Sequence, residues 1–245
     1  MLPKTRGSRR LKGSVKSNPQ KWIKYLIEPA TLEAIFCDSK ARLTKGKDQS
    51  QLVEIADAVI NEMDALWAEL ESEQPNYACR KGCSWCCHQN VSVTWPELLK
   101  VLSYILKIKN AKGILSLAKR IKSHSQKVAG KSSNNRFDKK LACVFLKGNR
   151  CTIHSARPLQ CRGGFSEEEQ YCRDLLENRT ITQATIRNRT RIGKYLVAPK
   201  MIYNSAQLGL SKALDDENLD GNIYELTAAM TILMEHVKKK SLIME

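Results

Sequence analysis

Four cysteines fall within nine residues of this chain, at Cys79, Cys83, Cys86 and Cys87, and four more follow at Cys143, Cys151, Cys161 and Cys172. Only Cys37 lies outside these two groups. In a secreted chain such density would read as a disulfide framework. Here the N-terminus is basic and lacks the apolar stretch of a secretory signal, and no apolar run approaches the ~20 residues of a membrane helix. The expected location is the cytoplasm, where thiols stay reduced and a dense cysteine cluster reads as metal ligation or catalysis.

Thiolates are soft ligands that suit zinc and iron–sulfur clusters. A tetrahedral ion or a cubane takes four, so two groups of four can build one site with spares or two adjacent sites. Cys79, Cys83, Cys86, Cys87, Cys143, Cys151, Cys161 and Cys172 are the candidate metal ligands. Gly82, Gly148 and Gly163 lie among them, as a backbone curling around a metal needs. The adjacent pair Cys86–Cys87 suits the usual zinc knuckles poorly, so a 4Fe–4S cluster is expected, with zinc as the alternative. Cys37, among apolar neighbours on a possible helix, reads as a small buried hydrophobe.

The rest of the chain is expected to be mainly α, one helical domain with a cysteine-clamped irregular loop and a small β-hairpin at the metal site. Residues 1–20 read as a disordered basic arm, 21–180 as the cysteine-cluster domain and 181–245 as its helical extension. Trp22 to Phe36 predicts a short helix broken at Pro29. Leu52, Ala56, Val59, Met63, Leu66 and Leu70 recur at helical spacing. After the loop at 79–90, Val91 to Val93 predicts a short strand. Thr94 and Glu97 form a capping box with Pro96 in the first turn of a helix to about Leu106. A second helix spans roughly 112–128, and 131–140 reads as a linker. ACVFLKGNRCTIH predicts a hairpin turning at Lys147 to Arg150. Ser166 and Glu169 read as another capping box, 182–213 as a helix kinked at Pro199, and 223–240 as a closing helix.

Formal net charge is +16, and it is concentrated. Residues 1–25 carry eight Lys/Arg and no acid, and residues 107–140 carry eleven against Asp138. Such blocks attract an acidic protein or nucleic acid, though charge alone favours a solvated face plus a disordered tail.

CRKGCSWCCHQNVSVTWPE, followed by CVFLKGNRCTIHSARPLQCRG, resembles the YkgJ-type cysteine-cluster family, described as zinc- or iron-chelating CxxCxxCC domains. The likeness covers about residues 79–172. That family is often written with two residues between its first cysteines, whereas three separate Cys79 from Cys83, and Cys172 lies beyond its usual core. The resemblance implies metal binding but no single activity. Its distant relatives include flagellin lysine methylases, which leaves an enzymatic role open without assigning a catalytic residue. Arg157 and Arg162, beside the expected ligands, would stabilise anionic thiolates. His154 is a possible ligand by spacing and His88 a weaker one. Trp85 is expected to shield the site from water.

Two other functions compete. Cys79, Cys83 and Cys86 have the C-x3-C-x2-C spacing of radical enzymes that use S-adenosylmethionine, but such a motif sits on a β/α barrel and no strand–helix alternation follows. A metal-stapled nucleic-acid-binding module would use the basic blocks, with Trp22 and Tyr25 stacking on bases, although no recognition signature is present. A metal carrier or redox partner docking on an acidic protein is the third reading.

Overall fold

A computed structural model describes residues 19–130, 136, 139–177 and 194–243. The expected basic arm lies almost wholly outside these residues, as do most of the 131–140 linker and the stretch 182–193 of the expected 182–213 helix. The architecture is mainly α, as the periodicities predict. The helices are α1 (Pro19–Leu43), α2 (Gln49–Glu71), α3 (Trp95–Ile108), α4 (Ala111–Val128), α5 (Leu159–Arg162), α6 (Glu169–Glu177), α7 (Val197–Asp216) and α8 (Leu226–Ile243). Two short 3-10 turns, Trp85–His88 and His154–Ala156, lie among the cysteines. The strands are β1 (Ser92–Val93), β2 (Leu146–Lys147), β3 (Arg150–Cys151) and β4 (Tyr224–Glu225), in two antiparallel pairs. The described residues therefore hold no β/α barrel.

Two apolar clusters form the interior. One joins α1, α2 and α7 through residues such as Ile35, Val59, Ile60, Ile202, Leu210 and Leu214. The other joins α3, α4 and α8 with the hairpin, through Leu98, Ile105, Ile121, Phe145 and Met230. Trp95 and Leu233 pack against both. Each fully buried aliphatic side chain contributes about 1.5–3 kcal/mol relative to exposure.

α1 runs helically through Pro29 rather than breaking there. Its principal packing is against α7, and that seam, with Ile35 and Leu43 fully buried, offsets the hydrogen bond a helical proline forfeits. Cys37 lies on α1 but is exposed, its thiol 3.6 Å from Glu33 Oε1. The expectation of a buried cysteine fails because Cys37 sits two residues after Ile35, on a different face of the helix. Pro199 introduces no kink. It falls in the first turn of α7, where no intrahelical partner is lost.

The hinges around the cysteines are built as their sequences dictate. Asp48 caps α2 reciprocally with Gln51. Thr94 and Glu97 form the expected capping box of α3, the Thr94 N–H donating to Glu97 Oε2 at 2.8 Å. β1 pairs with β4 at Ser92–Glu225 and Val93–Tyr224, which ties the end of the cysteine loop to the start of α8. In the hairpin, Gly148 and Asn149 both have positive φ, 54° and 55°, the conformation of a two-residue type I′ turn. Leu146 thereby faces Cys151 and Lys147 faces Arg150.

Candidate metal centre

Cys79 to Cys87 approach the site on a loop that ends in the Trp85–His88 turn. The Cys143 N–H donates to Cys87 O at 2.6 Å, so the segment leading into the hairpin lies directly against the adjacent cysteine pair. Ser84 Oγ reaches Asn149 Oδ1 at the hairpin tip, 3.4 Å away. Cys161 is placed by α5, whose first N–H, that of Leu159, donates to Glu97 Oε1 at 2.8 Å. Gly163 follows immediately. A Cβ there would meet Pro199 O at 3.0 Å, so a residue without one lets the turn after Cys161 pack on the start of α7.

These elements enclose one cavity of about 680 Å³ that is lined by Cys79, Cys83, Cys86, Cys87, Cys143, Cys151 and Cys161. Seven of the eight candidate ligands thus share one space, although up to 82 positions separate them in sequence. All are free thiols. Cys172 does not line the cavity. It is buried on α6, with the Ser166 and Tyr195 hydroxyls as hydrogen-bonding partners.

The thiols influence one another in two overlapping sets. Cys79 is raised to about 11, first by burial and also by Cys83, Cys172 and Cys86, while a hydrogen bond from the Ser166 N–H opposes the rise. That N–H lies 3.4 Å from Cys79 Sγ. Cys161 is pushed well up by burial and then by Cys143, Cys86 and Cys151. Burial likewise lifts Cys143 to about 11, with Cys151 adding to it. Cys86 stands at the junction. A hydrogen bond from the Cys87 thiol draws it down to about 7, aided by Arg157, and Cys87 is raised in return. The adjacent pair thus holds one readily formed thiolate beside one strongly protonated thiol.

The donor chemistry fits zinc or iron: soft sulfur, as free thiols, with no Asp or Glu among the described residues of the cavity wall. Among the described residues no three His, Cys, Asp or Glu side chains are drawn together around a single point where one ion would sit. The thiols ring the cavity.

The neighbouring residues divide differently from their expected roles. Arg157 lines the cavity and lowers Cys86, Cys151 and Cys161. Arg162 does not line it. Its Nη1 donates to Asp64 Oδ2 at 2.5 Å and it also bonds Arg157 O and Ser155 O, so it braces the fold. His154 is exposed at the cavity rim. His88 is half-buried with Nδ1 3.3 Å from Trp85 O and is absent from the wall. Trp85 is absent from the cavity wall; its Nε1 donates to Glu169 Oε1 at 3.1 Å, with Arg173 stacked 5.1 Å from its ring. That pairing also displaces the expected Ser166–Glu169 cap. α6 begins at Glu169, whose carboxylate faces Trp85 and Arg80, while Ser166 pairs with Tyr195 and donates to Glu168 O and Lys194 O.

The sequence reading gave no role to Lys200, Asn204 and Tyr195 on the wall. They arrive from the far end of the chain and carry no local signal.

Residues 78–177 match the CxxCxxCC family, described as "Putative zinc- or iron-chelating domain", the family that the cysteine loop and hairpin resemble. The match covers under half of the chain and includes all eight candidate ligands. No curated protein and no solved structure matches the chain.

Proposed function

We propose, taking the match to a zinc- or iron-chelating domain as premise, that this chain is a metalloprotein whose thiol-ringed cavity holds an iron–sulfur cluster rather than zinc. The observation that carries the reading is the convergence of seven free thiols on one cavity. Its width supports a polynuclear centre over a single ion, since four thiolates close tightly around one zinc. The mutual influence of the thiols supports two donor groups, Cys79, Cys83 and Cys86 on one side and Cys87, Cys143, Cys151 and Cys161 on the other, joined at the adjacent pair. In this reading Cys86 is the first ligand to offer a thiolate, and Arg157 offsets the negative charge that ligation gathers. The hairpin and the 79–87 loop hold the donors, and α5 fixes Cys161. Once bound, an iron–sulfur centre supplies one-electron transfer at a potential that nearby charge and hydrogen bonds tune.

Anaerobic purification with metal analysis and an absorption spectrum tests this. Brown protein absorbing near ~400 nm with iron and sulfide is the expected result. Colourless protein with stoichiometric zinc overturns the iron–sulfur choice, and metal-free protein overturns the reading.

One observation favours a further docking role. Lys112, Lys119, Arg120 and Lys127 are exposed on α4, which gives polyanions a basic face away from the cavity.

A further inference from the structure

The cavity wall holds more than thiols. Arg80, Lys81, Arg150, Arg157 and Lys200 line it, with Asn90, Asn149, Gln160 and Asn204 among the neutral polar residues, and no Asp or Glu among the described residues of the wall. We propose that the space beside the thiols binds a small organic anion carrying a carboxylate or phosphate group. This rests on the metal reading only in that metal and anion would share the cavity.

Three observations carry it. First, at about 680 Å³ the cavity matches the roughly 300–1,000 Å³ of small-molecule pockets, which is more room than sulfur ligation of a metal requires. Second, four of its five cations are uncommitted. Arg80 pairs with Glu169 at 2.6 Å, whereas Lys81, Arg150, Arg157 and Lys200 form no ion pair with a described carboxylate. Arg157 Nε is buried without a hydrogen-bond partner, and a buried donor left unmet is costly. Third, the groups have a shape. Lys200 and Asn204 stand one turn apart on α7 and both reach the wall, so they present an ammonium and an amide on one helical face.

The simpler account is that these cations only balance the thiolates. One bound centre accounts for part of this charge, but the cations are spread from Lys81 on the cysteine loop to Lys200 on α7 rather than gathered at the adjacent cysteine pair. A planar guanidinium with a buried free donor recognises a carboxylate or phosphate, and the lysines add point charge.

The test uses the protein as purified anaerobically, titrated calorimetrically with succinate and with phenyl phosphate at fixed ionic strength. Metal content is measured on the same samples. At least one probe should bind, and the stronger arm identifies carboxylate or phosphate as the recognised group. Lys200→Met and Arg150→Met should each weaken binding roughly tenfold, the loss expected for one charge-assisted hydrogen bond, with metal content and melting temperature unchanged. Lys45→Met, exposed between α1 and α2 and off the cavity wall, should leave binding intact. Metal-loaded protein that binds neither probe overturns the proposal. So does equal weakening by Lys45→Met, which would mean bulk charge, or no weakening by either cavity substitution. Protein purified without metal would overturn the metal reading alone, because the same titration still decides whether an anion binds.

Discussion

The backbone N–H of Leu159 donates to Glu97 Oε1 at 2.8 Å, so a carboxylate on α3 holds the start of the short helix that carries Cys161. Glu97 is 1% exposed, and its other oxygen accepts from the Thr94 N–H, Thr94 Oγ and Gln207 Nε2. Glu97→Ala leaves these donors buried without a partner and should cost about 3 kcal/mol in denaturant unfolding, with metal content falling alongside. Burial pushes the Glu97 carboxyl up, against the pull of its donors. A raised folded value favours the protonated form, so its stabilisation is full at low pH and is lost as pH rises through that value. The stability of wild type relative to Glu97→Gln should therefore increase on acidification.

Cys83→Ala, Cys86→Ala and Cys161→Ala should each lower metal content and melting temperature together, because ligation energy in such a site is folding energy. Cys37→Ala should change neither, its thiol being exposed on α1. Equal metal loss from Cys37→Ala would place the site elsewhere.

Cys86 should be the first thiol alkylated in reduced, metal-free protein. The Cys87 hydrogen bond holds it at about 7, below the ordinary 9.0, whereas burial holds Cys79 and Cys143 at about 11. The stability tied to Cys86 is present above its unfolded value and is lost as pH falls through about 7. That tied to Cys79 and Cys143 is present below the ordinary 9.0 and is lost as pH rises through about 11. Peptide mapping after brief iodoacetamide treatment at pH 8 checks the order, and preferential labelling of Cys79 or Cys143 would contradict it.

Asp64→Ala should destabilise by about 2 kcal/mol, the range for a lost hydrogen bond to a charged group. Asp64 accepts from Arg162 Nη1 at 2.5 Å and from the Tyr203 hydroxyl at 2.6 Å, and Arg162 is 8% exposed. Arg162 keeps its bonds to Arg157 O and Ser155 O, so the metal should remain. Thermal melts with metal analysis separate this brace from a ligand's role.

Polyanion binding should be detectable at low salt and mostly lost at physiological salt. Each phosphate engaged contributes a slope of about −0.9 in log K against log salt. Replacing Lys112, Lys119 and Lys127, all exposed on α4, with Gln should flatten that slope without altering metal content. Binding that survives high salt would indicate a dedicated nucleic-acid site.

Sequence alone determined what depends on neighbours. The capping box at Thr94 and Glu97, the Gly148–Asn149 turn, the amphipathic α2 and the cysteine-rich donor set all follow from local spacing, because helix period, turn geometry and thiol chemistry act within a few residues. Only the tertiary structure decided which side chains meet. Pro29 stays helical because α1 packs along α7. Arg157 faces the thiols while Arg162, five residues on, turns to Asp64 on α2. Lys200 and Asn204 come to the cavity wall from outside the cysteine segment. These choices depend on burial and charge pairing between distant segments, whose energies do not exist until the helices pack, so no pattern within any one segment carries them.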